Sequence, residues 1–117
     1  MENHAWLTLS DLDRTFAGRR PLIRKLVTVF IQTYDGFPTR MQALADQQDT
    51  TTFERELHSL KGASASLGAE ALRARAAEIE AAVKSGDTSP ADAVTRLVSF
   101  WPAVMQNAQD ILTALGD

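Results

Sequence analysis

The sequence of 117 residues contains no cysteine. That excludes disulfides, thiolate nucleophiles and cysteine-ligated metals, and it fits a reducing compartment. Histidine is almost as scarce, with His4 and His58 far apart in sequence. No paired-histidine zinc helix can be built from them, so a metal-binding bundle is a distant alternative. No apolar stretch is long enough to span a membrane. Met1 to Leu9 has neither a basic nor an apolar signal-peptide region, so a cytoplasmic location is expected. Alternating β-branched runs between turn signals are missing, which argues against strands. There is also no phosphate-cradling glycine loop and no nucleophile elbow, so the common nucleotide-binding and hydrolase signatures are excluded.

What is present is an ordinary globular balance. Hydrophobic residues make up 44% and charged residues 23%, with a net charge of −3. This speaks against disorder and against a general nucleic-acid binder. The length suits one domain with one core, spanning 1–117. Arg19, Arg20, Arg24 and Lys25 form a local basic cluster, whose plain reading is a solvated helix start.

Helical spacing runs through the chain. A short first helix is expected from Ser10 to about Ala17, capped by Ser10 and stopped by Gly18. A second begins near Pro21 and carries Ile23, Leu26, Phe30, Tyr34, Phe37, Met41 and Leu44 at steps of three and four. Gly36 and Pro38 interrupt it, predicting a kink or short break. A third opens with Thr51 and Glu54 as a capping box, buries Phe53, Leu57, Leu60, Ser64 and Leu67, and stops at Gly68. A fourth carries Leu72, Ala76, Ile79 and Val83 and ends before Gly86. The last starts at Ser89-Pro90, with Val94, Leu97, Trp101, Met105, Ala108, Leu112 and Leu115 on its core face and a bend at Pro102. The fold class is therefore all-α: an antiparallel up-and-down four-helix bundle with a short additional N-terminal helix. Such a complete core gives no need for a second copy, so a monomer is expected.

His4 lies near the chain end, where an incidental role is the simpler reading. His58 is placed differently. At ~100° per residue, with His58 at zero, Lys61 falls at ~300°, Gly62 at ~40° and Ala65 at ~340°. The core positions Leu57, Leu60, Ser64 and Leu67 fall between ~180° and ~260°. His58 thus points away from the core, among small neighbours. Gly62 costs a helix interior about 1 kcal/mol against alanine, and no turn is needed there. A local rule broken without structural reward points to function. Taken alone, though, an exposed histidine on a bundle is more often a plain surface residue.

The stretch His58-Ser59-Leu60-Lys61-Gly62-Ala63-Ser64-Ala65-Ser66-Leu67-Gly68-Ala69 closely resembles the signature of histidine-phosphotransfer (HPt) domains. That signature is a histidine, any residue, an aliphatic, lysine, glycine, a run of small residues, an apolar residue and a glycine. Outside it, the resemblance is one of helix order and length. The resemblance implies a role in multistep two-component phosphorelays, with His58 as the phosphorylated nucleophile. Response-regulator receiver domains and a hybrid histidine kinase would be its partners.

An unperturbed imidazole offers a neutral nitrogen at cellular pH, and attack by Nε2 requires the proton on Nδ1, held by an acceptor. Pairing the third and fourth helices about Ala69 sets residue 80 opposite residue 58, since both lie eleven positions away. Glu80 stands there, and proteins that share the signature often carry glutamine or glutamate at this place. Either Glu80 orients His58 or it merely pairs with Lys84 one turn later. Lys61 can offset phosphoryl charge, or be only a solvated surface lysine. Gly62 would let a partner approach closely. No acidic magnesium ligands accompany His58, so no intrinsic cofactor is expected, and Mg²⁺ would come with the partner receiver domain. By the same argument no autonomous kinase activity is expected. Two alternatives stay open: a non-catalytic adaptor of the same fold, and a module of a larger hybrid sensor kinase.

Overall fold

The computed structural model describes residues 5–116. Six α-helices follow in order: α1 Leu9–Phe16, α2 Arg20–Tyr34, α3 Phe37–Asp46, α4 Thr50–Ser66, α5 Glu70–Ser85 and α6 Pro90–Leu115. No strand occurs among the described residues. His4 lies outside them.

The break between α2 and α3 shows why the sequence folds as it does. In an unbroken helix the residue-38 amide would bond the Tyr34 carbonyl, but Pro38 has no N–H to give. The helix ends at Tyr34 and restarts at Phe37. The Tyr34 carbonyl is not orphaned, because the buried indole N–H of Trp101 donates to it at 2.8 Å. Tyr34, Phe37 and Trp101 then stack as one aromatic cluster, with centroid separations of 5.1 to 6.3 Å. Proline chemistry in one segment is thus answered by a side chain from α6.

The helices pack as one body 42 Å long and 25 Å across. The 26 residues of α6 make a rod of about 39 Å, nearly the full length. It lies against α2 and α3, touches α5, and runs through Pro102 without interruption. α4 packs along α5, and α3 leans on α4. Phe37, Met41, Phe53, Leu57 and Leu97 are among the fully buried side chains at the centre.

Several local expectations change. The cap of α1 is Thr8, whose hydroxyl accepts from the Asp11 amide, not Ser10. The cap of α4 is Asp49, which accepts from the Thr52 amide, so Thr51 lies inside the helix. In each case an upstream oxygen reached the free amides first. On α6, Val104 and Ile111 are buried where Met105 and Leu112 were expected. This long helix touches neighbours on two sides, so its buried seam follows the contacts instead of one line of large side chains. On α2, Val27 is fully buried while Leu26 is only partly so.

The basic cluster is largely structural. Arg20 makes a bidentate pair with Asp13 at 2.9 and 3.0 Å, and Arg24 donates to the Leu115 carbonyl at 3.2 Å. These contacts tie the start of α2 to α1 and to the end of α6. Trp6 and Leu7 add a buried N-terminal strap. The Trp6 amide donates to the Asn107 side chain at 2.7 Å, and the Arg75 guanidinium sits over both Trp6 and Phe100.

Gly68, which ends the signature stretch, has φ of 73°. A Cβ there would come within 2.1 Å of Thr15 Oγ1, a hydroxyl fixed by its own bond to the Asp11 carbonyl. Glycine is required both for the left-handed turn and for the close approach of α1. Gly68→Ala is expected to lower stability by about 1–3 kcal/mol, read from urea unfolding. An unchanged midpoint would show that α1 does not dock as described.

Candidate functional site

α4 has two faces with different jobs. Phe53, Leu57, Leu60, Ser64 and Leu67 lock it into the core. The buried Ser64 hydroxyl donates to the Leu60 carbonyl at 2.7 Å, so its one hydrogen is used within its own helix. The other face carries His58, Ser59, Gly62 and Ala65, all exposed. The His58 side chain is 66% exposed. A Cβ built at Gly62 would meet nothing within 4 Å, so open space surrounds it.

The α4–α5 pairing brings Glu80 beneath the imidazole. Its side chain is only 4% exposed, yet both oxygens are occupied. Oε2 lies 3.1 Å from His58 Nδ1 and 3.1 Å from Lys84 Nζ, while Oε1 lies 2.9 Å from Lys61 Nζ. Burial pushes this carboxyl upward. Hydrogen bonds from Lys61, Lys84 and His58 outweigh that and hold it down at about 2. Glu80 is therefore an anion at neutral pH and can only accept. The hydrogen on the 3.1 Å contact then belongs to His58 Nδ1, and in the neutral ring that tautomer leaves the lone pair on Nε2.

The structure thus brings together His58 and Lys61 of α4 and Glu80 of α5, with Gly62 beside the first two on α4. Lys61 rests on Glu80 instead of projecting freely. Both contacts weighed for Glu80 are made, since one oxygen meets both His58 and Lys84. What the sequence reading missed is this sharing. The only hint was the spacing of four between Glu80 and Lys84. Thr51, Glu54 and Arg55 join His58, Glu80 and Lys84 around a shallow recess on the α5 side. On the other side, Leu26, Val29 and Thr33 of α2 face Ala63 and Ser66 of α4 and its C-cap Leu67 across an apolar groove. Val29 is 48% exposed, a large apolar side chain facing solvent. No group of three or more metal-ligating side chains occurs among the described residues.

A neutral histidine so arranged can act as a nucleophile at Nε2. In the comparison with known families, the model of the Hpt domain matches residues 25–115. The chain belongs to the Hpt family. Hpt domains carry out histidine phosphotransfer in two-component phosphorelays, and they interact with response-regulator receivers and kinases. No curated protein and no solved structure matches the chain. The match leaves α1 and the Trp6 strap outside its bounds, although both are packed into this Hpt core. No helix among the described residues is long and apolar enough to cross a membrane.

The depressed Glu80 carboxyl has a consequence for stability. Its folded value, about 2, lies below its ordinary 4.5, so its contribution is complete above about pH 4.5 and is lost as pH falls toward 2. The contribution is on the order of 3 kcal/mol at neutral pH. Urea unfolding measured across that window is expected to show a steeper acid loss for the wild type than for Glu80→Gln. Parallel curves would mean that Glu80 is not held by these donors.

Proposed function

We propose that this Hpt domain is a phosphorelay intermediate that exchanges a phosphoryl group between His58 and an aspartate of receiver domains. The observation that carries the reading is the bond between buried, ionised Glu80 and His58 Nδ1, which leaves Nε2 as the exposed nucleophile. Nε2 attacks the phosphorus of an aspartyl phosphate. The phosphorus–oxygen bond breaks, and the aspartate leaves as a carboxylate with the bonding pair. Because Nδ1 keeps its proton, the ring becomes cationic as the new bond forms. Glu80, facing that proton, stabilises the charge. In the reverse direction the same ring departs as neutral imidazole. Lys61, 2.9 Å from Glu80 and one turn from His58, can turn to offset phosphoryl oxygens.

Transfer also needs in-line positioning and charge neutralisation, which this chain supplies only in part. The acceptor carboxylate and Mg²⁺ come with the partner, so neither an intrinsic cofactor nor autonomous kinase activity is part of this reading. The receiver docks over His58, Gly62 and the groove between α2 and α4, where Val29 offers apolar area and the small residues permit close approach. We read α2–α3, α4, α5 and α6 as the four columns of an antiparallel bundle behind that face, acting as a monomer in the cytoplasm.

Two tests follow from this geometry. Incubation with the phosphorylated receiver domains of the source organism should place acid-labile, base-stable label on the wild type and none on His58→Ala. Equal labelling of the two would end the carrier reading and leave an adaptor. Gly62→Ala should stabilise the fold by up to about 1 kcal/mol while slowing transfer. Faster or unchanged transfer in that variant would show that the partner needs no close approach there.

A further inference from the structure

Glu80 is an orienting acceptor with a built-in conflict. A carboxylate bonded to Nδ1–H favours the imidazolium, whose Nε2 carries a proton and cannot attack. The carboxylate also repels an incoming phosphoryl group. The stronger its hold, the narrower the range in which His58 is a nucleophile. The charged groups around the imidazole are Glu54, Arg55 and Lys61 of α4 and Glu80 and Lys84 of α5. Lys61 takes the far oxygen, Oε1. Among the described residues, Lys84 alone shares Oε2 with His58, each at 3.1 Å. It therefore competes for the same lone pairs and offsets the charge that His58 faces. Lys84 is 55% exposed and is the basic residue in the last turn of α5, a position where a cation also favours the helix terminus.

Resting on the carrier reading, we propose that Lys84 is a positioning residue that acts through Glu80 to set the pH range in which His58 is nucleophilic. Lys84 touches neither the phosphorus nor Nε2. It weakens the grip of Oε2 on the imidazolium while leaving enough charge to hold the Nδ1 proton.

The test uses the whole chain and two readouts. His58 is titrated by NMR in the wild type, Lys84→Met and Lys84→Arg. Each protein is then phosphorylated with phosphoramidate across the same pH range. In that reaction the phosphorus–nitrogen bond of the donor breaks, ammonia leaves, and a bond to Nε2 forms. Lys84→Met is expected to keep its imidazolium about half to one pH unit higher, and the acid limb of labelling should move by the same amount. Below the midpoint this is about three- to tenfold less label at a given pH. Lys84→Arg should restore both. In a Glu80→Gln background, Lys84→Met should have no further effect.

An unmoved titration in Lys84→Met would overturn the proposal. So would an equal shift in the Glu80→Gln background, since Lys84 would then act on His58 directly. Lys84→Gln provides a second neutral replacement should the methionine variant fold poorly. A titration that shifts as expected, in a protein whose His58 takes no label from any receiver, would sink the carrier reading and leave the Lys84 coupling standing.

Discussion

Taking a carboxylate out of water costs several kcal/mol unless donors replace its hydration. Glu80 lies under the His58 ring, closed off by the packing of α4 on α5, and three donors meet that cost. Two come from α4 and one from α5 itself. The site depends on this arrangement. It fixes the charge of Glu80, that charge holds a proton on His58 Nδ1, and on the proposed reading this makes Nε2 of the neutral ring the reactive atom. Pulling α4 away from α5 would expose the anion and release the ring together.

The remaining helices hold that pair of helices in register. α3 leans on α4, and α6 supports α2 and α3 through the aromatic cluster and the Trp101 bond to the Tyr34 carbonyl. α1 reaches the site from outside the family match, through the contact of Thr15 with Gly68 at the turn between α4 and α5. One signature glycine therefore serves folding and the other does not. Gly68 has a positive φ and no room for a side chain, whereas Gly62 has ordinary helical backbone and open space. The first is needed by this chain alone. The second meets no such need within the fold.

The helical content, the break at Gly36-Pro38 and the outward face of His58 were legible from the residues, because each follows from spacing or backbone chemistry within one segment. The caps at Thr8 and Asp49 were not. Several oxygens compete for the same free amides, and only the path of the preceding loop selects one. The seam of α6 at Val104 and Ile111 was misread for a related reason, since it is fixed by which neighbours the helix meets. Trp6 and Leu7 carry no periodic signal, and their burial depends on Asn107 and Arg75, far away in sequence.

The sequence by itself determined the helices, the outward-facing His58 and the family signature around it, all of them local properties of a chain with 3.6 residues per turn. It also placed Glu80 opposite His58 by counting from the turn. Only the tertiary structure decided how that carboxylate is used. Its burial, its two lysines and the sharing of Oε2 between His58 and Lys84 arise where two helices close over one charge, and no spacing within either helix specifies them.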